Sequence, residues 1–207
     1  MAKLLLETLK GNPGEKVPFW FMRQAGRYLP EYREIRATMP SFMDFCYNPA
    51  KATEVTLQPI RRYGMDGAIL FADILVVPDG LGQKVWFEKG FGPKLDPVTT
   101  EETYSALSLA GFHDKVCNVY ETVRRLRGEL PDDVTLLGFA GAPWTVATYM
   151  IGGQGSKDHA AARQLGYGNP VLFGKILDML VDATAEYLCA QIDAGADVVQ
   201  IFDSWSA

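Results

Sequence analysis

The chain has 207 residues, 25 acidic against 20 basic, and a formal net charge of −5 at neutral pH. That balance speaks against nucleic acid as a partner, and any anionic ligand has to be held by a local cationic cluster. With 48% hydrophobic residues and no low-complexity tract, residues 1–207 read as one soluble globular domain whose core needs no metal or disulfide staple.

Residues 1–11 read as a short amphipathic helix ended by Gly11, with Glu7 and Lys10 breaking up an apolar run too short for a secretory segment. Four apolar runs rich in β-formers follow, at 17–22, 67–71, 134–139 and 197–202. Helical spacing is expected over 49–62 and 112–126, and over 170–194, where Pro170 opens the helix and Gly195 follows it. Residues 82–95, with Val85, Trp86 and Phe87 before Gly90, Gly92 and Pro93, predict a small inserted hairpin. Short continuous apolar strands alternating with helices predict an α/β fold with a parallel sheet covered on both faces. A complete (β/α)8 TIM barrel takes about 250 residues, so four strands are about the first half of one. The chain stops directly after its fourth strand, which reads as a C-terminal truncation.

No stretch approaches the roughly 18 apolar residues a membrane span needs. Cys46, Cys117 and Cys189 are far apart and form no CxxC pair, so neither a disulfide framework nor a zinc site is expected, and a reducing compartment fits.

The first strand runs directly into Met22, Arg23, Gln24, Ala25, Gly26 and Arg27. Loops at strand C-termini carry the chemistry of parallel α/β proteins. Two arginines four residues apart, with Gly26 between, can aim two guanidinium forks at one carboxylate-bearing ligand. Arg33 and Arg36 continue the cluster on a helix, with surface pairing to Glu31 and Glu34 as the plainer alternative. Asp73 is the only charge in residues 68–78 and sits where the second strand should end. A carboxylate there is costly to desolvate unless paired, so it either bridges to an arginine or faces a cationic or N–H-rich ligand. The glycines of 137–145 fit neither GxGxxG nor a P-loop and read as a tight turn into a helix on which Tyr149 is either core or site. Asp203 and Ser204 end the fourth strand, as site residues or as helix caps. His113 and His159 lie in helix-like sequence far from these motifs and read as solvated surface side chains.

The runs MRQAGRYLPEYR (22–33), LQPIRR (57–62), 71–78 and GFAGAPWT (138–145) continuing to Tyr149 resemble the uroporphyrinogen decarboxylase family, in order and spacing, from about residue 17 to the chain end. The resemblance implies a cytoplasmic, homodimeric (β/α)8-barrel carboxy-lyase of porphyrin and haem biosynthesis with neither metal nor cofactor. Such an enzyme removes the four acetate carboxylates of uroporphyrinogen III as carbon dioxide, giving coproporphyrinogen III. Carried over by position, Asp73, Arg23, Arg27 and Tyr149 are implied to be catalytic. Arg23, Gln24, Ala25, Gly26, Arg27, Arg36, Asp73, Tyr149 and Ser204 are implied to contact the substrate. A fixed carboxylate at the centre of the macrocycle accepts pyrrole N–H bonds and stabilises the ring as it becomes cationic. An arginine beside the acetate is a candidate proton donor, against which its high pKa stands. The family's barrel continues further and draws a late histidine into its site, so this polypeptide alone is expected to be inactive. Two rivals remain at this point: a cobalamin- or thiol-linked methyltransferase of the same barrel superfamily, and a non-catalytic porphyrin-binding fragment.

Overall fold

The computed structural model describes residues 2–88 and 90–206. In chain order the elements are α1 (Leu4–Leu9), α2 (Pro30–Ala37), α3 (Phe42–Cys46), α4 (Pro49–Tyr63), β1 (Gly67–Ile69), α5 (Val76–Gly80), β2 (Val85–Glu88), β3 (Gly92–Leu95), α6 (Glu101–Ser105), α7 (Phe112–Glu129), β4 (Thr135–Gly141), α8 (Pro143–Gly152), α9 (Ala160–Gly168), α10 (Pro170–Asp193) and β5 (Val198–Phe202). Four helices open on proline at the first turn, where the missing N–H is not needed and φ is preset. Asn48 and Asn169 cap α4 and α10 by accepting the backbone N–H of Lys51 and Leu172. Gly64, at φ +60°, ends α4 in the left-handed conformation that glycine adopts without a Cβ penalty.

β1, β4 and β5 form a parallel sheet in the order β1-β4-β5, each return to it running through helices. Every residue of β4 is buried, as expected of a central strand covered on both faces. β2 and β3 pair as the expected antiparallel hairpin, of which Lys89 lies outside the described residues. At the N-terminal end of the strands, Asp197 accepts from Lys3 Nζ, from Arg127 Nη1 at 2.9 Å and from the Leu136 N–H at 2.7 Å, tying four segments together.

The strand expected at 17–22 does not form. The Asp66 N–H donates to the Phe19 carbonyl at 3.1 Å, but the Phe19 N–H goes to the Asp66 carboxylate at 2.9 Å rather than to a backbone carbonyl. Further along the β1 edge, the buried Gln24 side chain takes the place of a neighbouring strand. Its amide donates to the Gly67 carbonyl and accepts from the Ile69 N–H, both at 2.8 Å. Side chains thus occupy the groups a ladder would need, and Val17, Phe19, Phe21 and Met22 stay exposed.

β1 is also shorter than the expected 67–71. The Leu70 N–H still reaches the Leu137 carbonyl, whereas the Phe71 N–H leaves the sheet for Thr56 Oγ1 at 3.1 Å. Phe139, two residues beyond Leu137 and so on the same edge of β4, gives its N–H and carbonyl to the buried Gln191 amide of α10 at 2.9 and 3.0 Å. Gly138 makes room for that amide: a Cβ there would stand 2.4 Å from Gln191 Oε1. Among the described residues, no helix is long and apolar enough to cross a membrane.

Candidate active site

The charged residues singled out by the sequence gather beyond the C-terminal ends of the three parallel strands. Asp73 follows β1, Tyr149 lies on the helix after β4, and Ser204 follows β5. The loop bearing Arg23 and Arg27 is tied to the open edge of β1 by Gln24, and the Tyr28 hydroxyl donates to the Gln24 carbonyl.

Asp73 is half-buried in the turn between β1 and α5, with Oδ1 accepting the Leu75 N–H at 2.9 Å. Among the described residues it forms no salt bridge, so the bridge to an arginine weighed from sequence is not made. Burial pushes its carboxyl above the ordinary value of 3.8, while the Leu75 N–H and the nearby Arg23 charge pull it back. Burial also raises the Tyr149 hydroxyl; Asp73 raises it further, whereas a bond involving Trp205 and the Arg23 charge lower it. Arg23, Asp73 and Tyr149 therefore sit within one electrostatic neighbourhood. Arg36 joins it through the buried Cys46 thiol of α3, which feels both Asp73 and Arg36. Arg27 and Arg36 both act on the Tyr32 hydroxyl.

Among the described residues, Arg23, Arg27 and Arg36 have no carboxylate partner. Among the described residues, the surface pairing of Arg33 and Arg36 with Glu31 and Glu34 is not made, and Glu31 is instead taken by Arg62 at 2.6 and 3.0 Å. Arg33 instead reaches the Arg27 carbonyl, and Arg36 the Met39 carbonyl at 3.1 Å. Arg23 and Arg27 are exposed, and Ala25 and Gly26 between them are half-buried. Gln24 is 2% exposed and its side chain is committed to β1, so a substrate contact at this residue falls to the backbone. A cavity of about 490 Å³ lined by Phe19, Phe21, Arg23, Tyr28, Tyr63 and Met65 opens beside the loop, but Asp73 and Tyr149 are not in its wall.

Ser204 is exposed in the turn after β5. That turn is pinned to α8, because Thr145 Oγ1 donates to Asp203 at 2.7 Å and the Trp144 indole N–H donates to the Trp205 carbonyl at 2.7 Å. Asp203 thus secures α8. Of the two histidines, His113 is on the solvated surface as expected, and His159 is not. His113 is exposed but engaged, 2.9 Å from the Tyr120 hydroxyl and 3.1 Å from Glu186. His159 is half-buried, with φ +52°, its ring 5.0 Å from Trp205 and 6.4 Å from Trp144, and among the described residues its Nδ1 has no partner. Spacing alone carried no signal for this, since Trp205 is distant in sequence.

A family description headed uroporphyrinogen decarboxylase (URO-D) matches residues 1–207. The chain belongs to the uroporphyrinogen decarboxylase family. It is 58% identical over 205 residues to the uroporphyrinogen decarboxylase of Mesorhizobium japonicum, covering 99% of this chain and 60% of that protein. The corresponding proteins of Sinorhizobium fredii and Sphingopyxis alaskensis are 57% and 54% identical, over 98% and 99% of this chain and 58% and 59% of their own lengths. The chain thus spans about 60% of the length of these relatives. A methyltransferase from Methanosarcina mazei superposes with a TM-score of 0.76 at 22% identity, over 96% of this chain and 57% of that one. At that identity the likeness concerns the fold, which is of the TIM-barrel type, here a partial barrel. Membership of the family favours the decarboxylase reading over the methyltransferase one. Among the described residues, no three His, Cys, Asp or Glu side chains cluster as metal ligands would.

Proposed function

We propose that this chain carries the Asp73-centred part of a uroporphyrinogen decarboxylase site, converting uroporphyrinogen III to coproporphyrinogen III. The observation that carries the reading is a half-buried carboxylate with no salt bridge, near Arg23, which like Arg27 and Arg36 has no carboxylate partner among the described residues. In an acidic protein, such arginines are grips for a polyanion. Arg23, Arg27 and Arg36 hold peripheral carboxylates, with the backbone of residues 24–26 and the Ser204 hydroxyl at the rim.

Asp73 is half-buried, and that burial raises its carboxyl above the ordinary value. The converging pyrrole N–H groups would supply the bonds its Oδ2 lacks. A proton added to the pyrrole α carbon next to the ring carbon bearing the acetate makes that pyrrole cationic, and Asp73 stabilises the charge as it develops. The bond to the carboxylate then breaks, carbon dioxide leaves, and the bond's electrons neutralise the ring as an exocyclic methylene. A second proton on the methylene carbon yields the methyl group as the ring carbon gives up the first proton. Tyr149, beside Asp73, orients the reacting pyrrole. The substrate is its own electron sink, so this route calls for no cofactor. We further propose that the protein works in the cytoplasm as a homodimer.

The test is formation of coproporphyrinogen from uroporphyrinogen by this chain, alone and complemented with the remaining segment of the Mesorhizobium japonicum relative. Turnover in either form that Asp73→Ala abolishes supports the reading. No turnover in either form, or turnover that survives Asp73→Ala, overturns it.

A further inference from the structure

The Ala142 N–H donates to the Phe202 carbonyl at 2.8 Å, and beyond that rung β4 leads into α8 while β5 leads into the turn carrying Ser204. Thr145, in the first turn of α8 and 2% exposed, joins the two again. Its hydroxyl donates to Asp203 Oδ1 at 2.7 Å and accepts the Trp205 N–H at 3.3 Å. Asp203 and Trp205 are the two neighbours of Ser204, so one buried oxygen brackets that residue. Ser206 closes the turn on itself, its hydroxyl donating to the Asp203 carbonyl at 3.0 Å.

The position of Thr145 on its helix explains why its hydroxyl serves the turn. Thr8, Thr56 and Thr122 donate to the carbonyl four residues back, a common fate of threonine in a helix. Thr145 is too near the start of α8 for its own helix to offer that carbonyl. The proton goes to a carboxylate instead, and a charged acceptor makes the bond stronger than one between neutral groups. The branched Cβ restricts χ1, which fixes where the oxygen points.

Tyr149 lies four residues further along α8, on the same face as Thr145. The Trp205 indole bears on the Tyr149 hydroxyl, which Asp73 and Arg23 reach as well. Trp205 is held in addition by the Trp144 indole N–H on its carbonyl at 2.7 Å and by the His159 ring 5.0 Å away. Ser204 itself is exposed, and among the described residues its hydroxyl has no partner. Resting on the decarboxylase reading above, we propose that Thr145 is a positioning residue: its hydroxyl holds the Ser204 turn against the Tyr149 face of α8, so that the Ser204 hydroxyl meets a substrate carboxylate already in place. A loose turn would have to be ordered at the moment of binding, and affinity would fall by that cost.

The test is absorbance titration with uroporphyrin of the wild-type chain, Thr145→Val, Thr145→Ser, Asp203→Ala and Ser204→Ala. Thr145→Val and Asp203→Ala are also each combined with Ser204→Ala. Ser204→Ala is expected to weaken binding about tenfold, as loss of a hydrogen bond to a charged group allows. Thr145→Val and Asp203→Ala should each weaken it about fivefold, and Thr145→Ser, which keeps the hydroxyl, should stay within about twofold of wild type. With Ser204→Ala already present, either change should add less than about 1.5-fold, because nothing is left to position. Equal weakening in both backgrounds, or no weakening by either change in the wild type, overturns the proposal. Thermal melts show whether the valine variant folds; if it does not, Asp203→Ala removes the other end of the same bond and decides the question. If Asp73→Ala removes uroporphyrin binding while Ser204→Ala and Thr145→Val leave it unchanged, only the role of Thr145 falls. A wild-type chain that binds no uroporphyrin overturns the decarboxylase reading along with it.

Discussion

The side-chain oxygen of Gln24 accepts the backbone N–H of Ile69 at 2.8 Å, so an amide from the arginine loop fills a rung on the open edge of the sheet. The same amide donates to the Gly67 carbonyl, and these are the two groups a parallel neighbour would have bonded. The loop that aims Arg23 and Arg27 is thereby referenced to the strand that leads to Asp73.

Removing that amide should cost more than one ordinary hydrogen bond. Gln24→Ala leaves a buried N–H and a buried carbonyl without partners, a loss of about 2–4 kcal/mol by the usual penalty for orphaned groups. Urea unfolding of the purified chain measures it. A change below about 0.5 kcal/mol would mean that water replaces the amide without loss.

Gly138→Ala should fail through Gln191. The new Cβ would collide with Gln191 Oε1, and displacing that side chain orphans the Phe139 N–H and carbonyl. We expect a loss of about 2–3 kcal/mol. In a Gln191→Ala background, the further cost of Gly138→Ala should shrink to about 0.5 kcal/mol, near the additivity limit. Equal costs in both backgrounds would show that the alanine acts by some other contact.

Asp73→Asn should stabilise the protein while removing its proposed chemistry. The folded state raises the Asp73 pKa, so it holds the proton more tightly than the unfolded chain does. The stability from the protonated form is full below 3.8 and is lost as pH rises through the elevated value. At pH 7 the ionised carboxylate therefore costs stability that asparagine avoids, while its Oδ1 still accepts the Leu75 N–H. A gain of about 1 kcal/mol, or roughly 2–4 °C in Tm, is expected at pH 7 and should fade at pH 3. Thermal melts at both pH values read it out; a lower Tm at pH 7 contradicts the assignment.

Arg23→Gln and Arg27→Gln should leave folding nearly untouched, within about 0.5 kcal/mol, since neither guanidinium holds a carboxylate of the described protein. Uroporphyrin affinity should fall at least about tenfold for each, and lysine at either position should recover only part of it, because the charge returns without the fork. Thermal melts paired with absorbance titration separate the two effects. Full recovery by lysine would show that charge alone is read.

Local chemistry wrote much of this protein into its sequence. Pro49 and Pro170 begin helices, Gly11 follows one, and apolar runs became β1, β4 and β5 because these signals act over a few residues. Arg23, Arg27, Asp73 and Tyr149 were visible as charged or aromatic side chains at strand ends or in the turns and helices that follow, and the motifs around them reveal the family. Tertiary structure alone decided how the strand edges are satisfied. The run 17–22 has the residues of a strand, yet Asp66 and Gln24 claim its rungs. β1 stops at Ile69 and Gln191 repairs the gap. Nor does any spacing tell that Glu31 turns to Arg62, or that His159 lies against Trp205. A backbone donor or a surface charge takes whichever partner the fold brings within about 3 Å. That partner is set by packing between distant segments, which no local pattern encodes.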